Sequence, residues 1–175
     1  MAVIKRQQLN PAVPPSKKQH NIAHADLVRQ AEKWLRRQGC AVTIRDDLRV
    51  YTISGEQPDA IAWRDGLSIL VECKVSRADF LADAKKPFRA PQSGMGDWRF
   101  YLSPPGVVGI SDLPEGWGLL WTKDRGVEDR FGVPNNGQWW SERPFVGDKH
   151  DETLILASAL RRFAKSGQLE SIYGR

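Results

Sequence analysis

Three ionisable residues in the first half of the chain have the types and the spacing of a hydrolytic site: Asp59, Glu72 and Lys74. Glu72 and Lys74 lie two positions apart in the run Leu-Ser-Ile-Leu-Val-Glu-Cys-Lys-Val, residues 67–75. Because side chains alternate across a strand, this pair shares one face and the odd-numbered apolar residues take the other. Placing a carboxylate and an ammonium on so apolar a strand is unfavourable unless each meets a partner, a metal ion or water.

Metal-assisted phosphodiester cleavage is the chemistry that these residues suit. Asp59 and Glu72 offer hard carboxylate oxygens to Mg²⁺, and water and phosphate oxygens would complete its coordination. A metal in that position polarises the phosphate and lowers the pKa of a bound water. Lys74 could orient that water or stabilise the charge that builds on phosphorus. Since short motifs also arise by chance, the alternative is a solvated ion pair on an edge strand, worth about 0–1 kcal/mol.

A predicted β-hairpin brings Asp59 to the other two residues. The sequence predicts strands over residues 59–63 and 67–75, and Arg-Asp-Gly at 64–66 is a tight-turn signal between them. Asp59 starts the first strand, and the Glu-x-Lys pair ends the second. In an antiparallel hairpin these two ends are adjacent, so the sequence predicts that the three residues form one cluster.

Periodic segments predict the elements around this hairpin. A helical period over residues 24–38 places His24 near the apolar face and Glu32 at its edge. Either residue could face a catalytic cleft, and a structural or surface role is the alternative for each. Residues 123–150 show little regular pattern, and a C-terminal helix is predicted over 151–166. The other predicted strands span residues 41–45, 49–54, 97–103 and 117–122.

A second helix is predicted to begin at Ser76, directly after the strand that carries Glu72 and Lys74. Ser76 and Asp79 resemble a capping box. The predicted buried stripe consists of Phe80, Leu81, Ala84 and Phe88. The opposite face carries Asp83 and a basic cluster that could bind nucleic acid, with an ordinary solvated face as the alternative. The candidate nucleic-acid-binding residues are Arg77, Lys85, Lys86 and Arg89.

The length and composition of the chain limit the classes of protein to which it could belong. A chain of 175 residues with 41% hydrophobic residues is expected to form one domain, residues 22–175, with a core. It contains no apolar run near the roughly 20 residues of a membrane span. Cys40 and Cys73 are the only cysteines, which predicts reduced thiols in a cytoplasmic protein.

The excess positive charge is concentrated at the N-terminus. Residues 1–20 contain four of the 26 basic residues and no acid, so the rest of the chain has a net charge of only +1. Residues 1–21 are predicted to form a flexible basic arm, with a solubilising tail as the alternative. Nucleic-acid binding by the folded body must therefore depend on clustered basic side chains rather than on overall charge.

The order helix, three strands, helix, strand, with Pro58-Asp59 on the second strand and Glu72-Cys73-Lys74 on the third, resembles the PD-(D/E)xK nuclease superfamily. The run Ser-Arg-Ala-Asp-Phe-Leu-Ala-Asp-Ala-Lys-Lys at 76–86 and the aromatic strand at 98–103 are similar to its small MmcB-like DNA-repair branch. The segment Pro-Glu-Gly-Trp-Gly-Leu-Leu at 114–120 continues the likeness. The combined pattern is far more specific than the three charged residues alone.

This resemblance implies an α/β fold with a restriction-endonuclease-like core, a central mixed sheet flanked by helices in the order αβββαβ. It implies that Asp59 and Glu72 bind Mg²⁺ or Mn²⁺, that the Cys73 carbonyl is a further ligand, and that Lys74 is the catalytic lysine. Members often add an acidic residue from the first helix, and Glu32 is the candidate here.

The expected function is therefore a metal-dependent DNA endonuclease of DNA repair, recombination or phage DNA processing. A homodimer would supply the two active sites that cutting both strands commonly requires. A DNA-binding repair accessory protein of the same fold with a vestigial site is the first alternative. The second is a structural or interaction protein in which Asp59, Glu72 and Lys74 form an ion-pair network.

Overall fold

The computed structural model of the protein describes residues 23–90 and 93–174, and the predicted basic arm lies outside them. The described chain is an α/β structure with a six-stranded mixed open sheet, in the order β1 to β6, flanked by helices. The strands are β1 (Val42–Arg45), β2 (Ala60–Arg64), β3 (Leu67–Cys73), β4 (Trp98–Ser103), β5 (Gly118–Lys123) and β6 (Gly126–Phe131). The α-helices are α1 (His24–Arg37), α2 (Arg77–Asp83), α3 (Gln138–Ser141) and α4 (Lys149–Lys165).

The predicted hairpin is confirmed. Strands β2 and β3 are antiparallel, with Ala60 opposite Val71, and the turn uses Asp65 and Gly66 at positive φ. Strand β1 is antiparallel to β2, β3 to β5 are mutually parallel, and β6 returns antiparallel to β5. Because β3 pairs with β2 on one side and β4 on the other, it is a central strand rather than the edge strand of the ion-pair alternative.

The alternation of β3 is confirmed, and both of its faces are buried. Leu67, Ile69 and Val71 pack in one apolar cluster with helix α1. Leu70 on the other face packs in a second cluster that includes Tyr101 of β4. Side chains on the second face of β3 therefore lie in the protein interior, which makes a charged residue there costly unless it is paired.

Helix α2 is shorter than the sequence predicts. It ends at Asp83, and a short 3₁₀ turn follows at Pro87–Arg89, because a proline disfavours helical backbone at the residue before it. The predicted helical face is wrong both inside α2 and after it. Within α2, Leu81 is 49% exposed instead of buried and Asp83 is buried instead of solvated; after α2, Arg89 is buried instead of solvated.

The segment 123–150 contains more regular structure than the sequence predicts, since it includes β6 and α3. Gly126 supplies the positive φ that closes the β5–β6 turn. The final helix, α4, begins two residues before the predicted position because Asp148 accepts hydrogen bonds from the backbone N–H groups of His150 and Asp151. The predicted strand at 49–54 is not formed.

Candidate functional site

Asp59 lies directly before β2, beside the end of β3. Its Oδ2 accepts a hydrogen bond from the backbone N–H of Cys73 at 2.7 Å, and its Oδ1 is 3.2 Å from Nε2 of His24. The side chain of Asp59 is 15% exposed. Helix α1 and strand β3 thus fix the Asp59 carboxylate from two sides.

His24 links Asp59 to a second carboxylate, that of Asp46. The Nδ1 atom of His24 is 3.8 Å from Oδ2 of Asp46, and one ligand atom from each of the three residues lies within 4.8 Å of the others. The contact with Asp59 raises the pKa of His24 against the opposing effect of burial, and Asp46 adds to the rise. We call these three residues the open cluster, since each retains some exposure to solvent.

Glu72 and Lys74 lie beside this cluster but are deeply buried, at 2% and 3% exposure. The Nζ of Lys74 is 3.1 Å from Oε2 of Glu72 and 3.3 Å from Oδ1 of Asp83. Burial alone would lower the pKa of Lys74, but Glu72, Asp83 and Asp59 together raise it. The ammonium is therefore charged at neutral pH.

A buried arginine completes the network. Arg89 donates a hydrogen bond to Glu56 at 2.6 Å and two to Asp83 at 2.8 and 3.0 Å, and its Nη2 is 2.9 Å from Oε1 of Glu72. Tyr101, which lies beside Glu72 in the β3–β4 register, donates from its hydroxyl to Asp83 at 3.1 Å. We call the carboxylates of Glu56, Glu72 and Asp83 the arginine cage.

Sequence reasoning did not assign a site role to Glu56, Asp83 or Tyr101. The strand pattern could have indicated Tyr101, because every second residue of an aromatic strand beside Glu72 faces the same side of the sheet. No comparable signal exists for Glu56, which is on a segment without a helix or strand and reaches the cage only through the tertiary fold.

The two candidate metal-binding carboxylates, Glu72 and Asp59, differ in their pKa values. Burial raises the pKa of Glu72 to about 7, with Arg89 and Lys74 opposing the rise and Asp59 adding to it. Burial also acts to raise the pKa of Asp59, but His24, the Cys73 N–H and Lys74 outweigh it and hold that pKa below its usual value. The negative charge of Asp59 therefore disfavours ionisation of Glu72.

The donor atoms fit a divalent cation at Asp59 and fit it less well at Glu72. Asp59 and Asp46 line an open cleft of about 580 Å³, and the open cluster offers oxygen and nitrogen ligands. Glu72, by contrast, has Lys74 against one carboxylate oxygen and Arg89 against the other. The contact with Arg89 lacks hydrogen-bond geometry, since the buried Oε1 of Glu72 accepts no hydrogen bond. A cation at Asp59 would therefore share Glu72 with Lys74 and Arg89.

Two other predicted ligands lie in different surroundings. Glu32 accepts a hydrogen bond from Arg36 at 2.7 Å and is 3.4 Å from Arg45, so it is outside the open cluster. It sits eight residues after His24, about 12 Å along the helix, and His24 is the residue through which α1 reaches Asp59. Cys73 contributes its N–H to Asp59, whereas its thiol is buried in the core, which raises its pKa well above the usual value.

The predicted basic face is smaller in the structure. Lys85 is exposed, and Lys86 is about half exposed while it pairs with Asp83 at 2.8 Å. Arg77 is exposed and pairs with Asp112 through two hydrogen bonds. Arg89 is only 7% exposed, so the prediction that it belongs to a solvent-facing nucleic-acid surface does not match its position here.

Comparison with protein-family models and with curated proteins gives no match. Among solved structures, the chain is similar to a protein of unknown function from Silicibacter pomeroyi, with 21% sequence identity and a TM-score of 0.57. The similarity covers 89% of this chain and 97% of that one. At this identity the similarity supports a shared fold and says nothing about activity.

In the part of the chain that the structure describes, no helix combines the length and the apolar character needed to cross a membrane.

Proposed function

We propose that this protein is a Mg²⁺- or Mn²⁺-dependent DNA endonuclease with a restriction-endonuclease-like core. The observation that carries the proposal is the convergence of Asp59, Glu72 and Lys74 at one end of the β2–β3 hairpin. Asp59 is hydrogen-bonded to the backbone of Cys73, between the other two residues, and Lys74 is paired with Glu72. The resemblance to the PD-(D/E)xK superfamily, and to its MmcB-like branch, assigns the same three residues.

In this proposal Asp59 holds the cation, with His24 and Asp46 as the neighbouring donors and Glu72 as the ligand recruited from the arginine cage. The bound cation would polarise a phosphodiester and lower the pKa of a water molecule. The carbonyl of Cys73 stays a candidate ligand, because Asp59 is anchored on the same residue. Glu32 has no role in the proposal, since it pairs with Arg36 and Arg45.

Lys74 would act as a fixed positive charge rather than as a base. Its neighbours raise its pKa, so the ammonium keeps its proton at neutral pH. Asp83 and Glu72 hold its Nζ from two sides, which limits the reorganisation needed to stabilise negative charge developing on a phosphate. Asp83 is therefore a positioning residue for Lys74.

DNA would approach along the side that carries α2. Lys86 pairs with Asp83 and is about half exposed, and its neighbour Lys85 is exposed. Lys and Arg side chains supply most of the affinity for a phosphate backbone. A homodimer would supply the two active sites needed to cut both strands of a duplex.

A second candidate is a DNA-binding accessory protein that does not cut. The specific observation in its favour is that Arg89 already neutralises Glu72 and that Lys74 is almost fully buried. In this version Arg89 is a permanent substitute for a metal ion.

A cleavage assay distinguishes the two candidates. Supercoiled, linear, single-stranded and branched DNA would be incubated with the full chain in Mg²⁺, Mn²⁺ or EDTA. Lys74→Ala is the test variant, and Lys123→Ala, which removes one positive charge from an exposed lysine at the end of β5, is the matched control. The endonuclease proposal predicts cutting that needs the metal, survives in Lys123→Ala and is lost in Lys74→Ala. Folded wild-type protein that binds DNA but cuts none of these substrates would favour the accessory protein.

A further inference from the structure

We propose that Arg89 and a divalent metal ion compete for Glu72, so that the chain's own guanidinium controls whether the metal site is complete. The inference rests on the proposed function, because it takes Glu72 as a metal ligand. It adds an internal competitor, located in the arginine cage, that neither the sequence pattern nor the comparisons with known proteins assign.

The arginine cage is built to hold a guanidinium. Its three carboxylates approach Arg89 from different directions, with Glu56 on Nη1, Asp83 on Nε and Nη2, and Glu72 near Nη2. A planar group with five fixed donors suits this arrangement, and a single ammonium does not. The guanidinium carbon also lies 5.4 Å from the ring centre of Trp117, a cation–π distance.

A metal ion would not fill the cage in the same way. Among the described residues, the open cluster is the group in which three ligand atoms lie within 4.8 Å of one another, and the cage carboxylates do not form such a group. A divalent cation would therefore bind at Asp59 and take one cage member as an additional ligand. The cage itself holds the guanidinium, whereas the neighbouring open cluster offers the metal position.

Of the three cage carboxylates, Glu72 accepts the fewest hydrogen bonds. Glu56 accepts a hydrogen bond from the backbone N–H of Met95 at 2.7 Å, and Asp83 accepts one from the hydroxyl of Tyr101 at 3.1 Å. The Oε1 of Glu72 is fully buried and accepts none. A buried carboxylate oxygen without a hydrogen bond is unfavourable, so Glu72 is the carboxylate that a cation at Asp59 would stabilise most.

Withdrawal of Arg89 would displace no buried apolar side chain. Among residues 84–90, Arg89 alone is buried, so the segment contributes no fully buried apolar side chain. Its departure would break ion pairs, and a DNA phosphate could replace the lost carboxylates, because guanidinium groups bind phosphates with paired hydrogen bonds. DNA and metal binding would then favour each other, because the phosphate would hold Arg89 and leave Glu72 available to the metal ion.

The affinity for Mn²⁺ tests this competition without any cleavage assay. Mn²⁺ binding would be measured by electron paramagnetic resonance for wild type, Arg89→Gln and the matched control Lys86→Gln. The control removes the same charge from a lysine that touches Asp83 but not Glu72. We expect Arg89→Gln to bind Mn²⁺ at least about tenfold more tightly than wild type, because a positive charge beside the ligand is gone. Lys86→Gln should stay within about threefold of wild type, because it lies farther from Glu72 and in contact with solvent.

The double variant Arg89→Gln/Glu72→Gln identifies the ligand. The proposal predicts that the tighter binding disappears in this variant. An Mn²⁺ affinity in Arg89→Gln equal to that of wild type, or a gain that survives the loss of Glu72, would overturn the proposal. If Arg89→Gln does not fold, Arg89→Lys decides in its place: one ammonium cannot contact all three carboxylates, so its Mn²⁺ affinity should rise, and an unchanged affinity contradicts the competition.

These outcomes are separate from those of the cleavage assay. Tight, Glu72-dependent Mn²⁺ binding by wild type with no gain in Arg89→Gln would refute the competition and leave the endonuclease proposal intact. A clear gain in a protein that cuts no DNA would support the competition and refute the endonuclease.

Discussion

The same face of strand β3 carries charged networks at both ends, and they are satisfied in different ways. At its start, Ser68 belongs to a group with Asp97, Lys149 and Glu152, which we call the α4 anchor. At its end, Glu72 belongs to the arginine cage. Both networks are largely buried, so burial by itself does not distinguish a structural role from a functional one.

The α4 anchor is satisfied mainly by uncharged donors. Asp97 accepts hydrogen bonds from the backbone N–H groups of Ser68 and Gly147 at 2.9 and 3.0 Å. Glu152 accepts from Gly96 N–H at 3.0 Å and from the indole of Trp63 at 3.1 Å. Lys149 reaches the side chains of Ser68, Asp97 and Glu152. These contacts join α4 to β2, β3 and the start of β4.

At the other end of β3, Glu72 is paired with charged side chains, and one of its oxygens lacks a hydrogen bond. Glu72 is paired with Lys74 and Arg89 and has an oxygen that accepts no hydrogen bond. The open cluster of Asp59, His24 and Asp46 faces a cleft beside it. The α4 anchor is thus fully hydrogen-bonded without a ligand, whereas the opposite end of β3 has carboxylate oxygens that could still bind one.

The largest expected difference between the two ends is in catalysis. We expect Asp59→Asn to lower the rate of metal-dependent DNA cleavage by at least about 100-fold, because it removes charge where the cation would bind. Asp97→Asn, the same chemical change at the other end, should leave the rate constant of the folded protein within about threefold of wild type. Single-turnover cleavage measures both rates, and equal losses in the two variants would remove the distinction.

The next largest expected effect is on stability. Here the larger loss is expected at Asp97 and the smaller one at Asp59. Asp97→Ala leaves two buried backbone N–H groups without an acceptor, so we expect it to lower the free energy of unfolding by about 2–4 kcal/mol. Asp59→Ala leaves one buried backbone N–H, that of Cys73, without an acceptor. It also removes the contact with the partly exposed His24 and a repulsion with Glu72, so its loss should be smaller, about 1 kcal/mol or less. Urea denaturation in EDTA gives both values. A larger loss in Asp59→Ala would make Asp59 the structural residue.

A smaller expected effect is the dependence of stability on pH at Asp97. Burial acts to raise the pKa of Asp97, but hydrogen bonds from Lys149, Gly147 and Ser68 outweigh it and hold that pKa below its usual value. A carboxyl whose pKa is lower in the folded state contributes stability above its unfolded pKa, near 4, and loses that contribution as the pH falls through its folded pKa. Wild type should therefore lose more stability than Asp97→Asn between about pH 5 and pH 2. Parallel curves of unfolding free energy against pH would contradict this.

The sequence predicted the part of the site that depends on strand geometry. Alternation along β3 and the tight turn at 64–66 placed Asp59 beside Glu72 and Lys74, and the structure confirms that placement. It also predicted a mixed α/β sheet flanked by helices. These inferences succeed because the period of a strand and the closure of a short hairpin are local properties of the chain.

The arginine cage could not be predicted in the same way. An amphipathic pattern assigned Asp83 and Arg89 to a solvated face. Arg89 lies in the 3₁₀ turn that begins at Pro87, after the helical geometry has ended. Asp83 lies inside α2, and its tertiary contacts with Arg89 and Tyr101 bury it. Glu56 reaches Arg89 across 33 residues of sequence, and no local period records such a contact. The α4 anchor has the same origin, since Lys149 and Ser68 are 81 residues apart.

Mn²⁺ binding to Asp59→Asn and Asp97→Asn tests whether one end of β3 is a cation site and the other is not. Titration of each folded protein, followed by electron paramagnetic resonance, would give the affinities and the number of ions bound. We predict that Asp59→Asn weakens Mn²⁺ binding at least about tenfold, because the carboxylate that joins the other ligands is gone, and that Asp97→Asn binds as wild type does. Equal Mn²⁺ affinities in wild type and Asp59→Asn would contradict the claim.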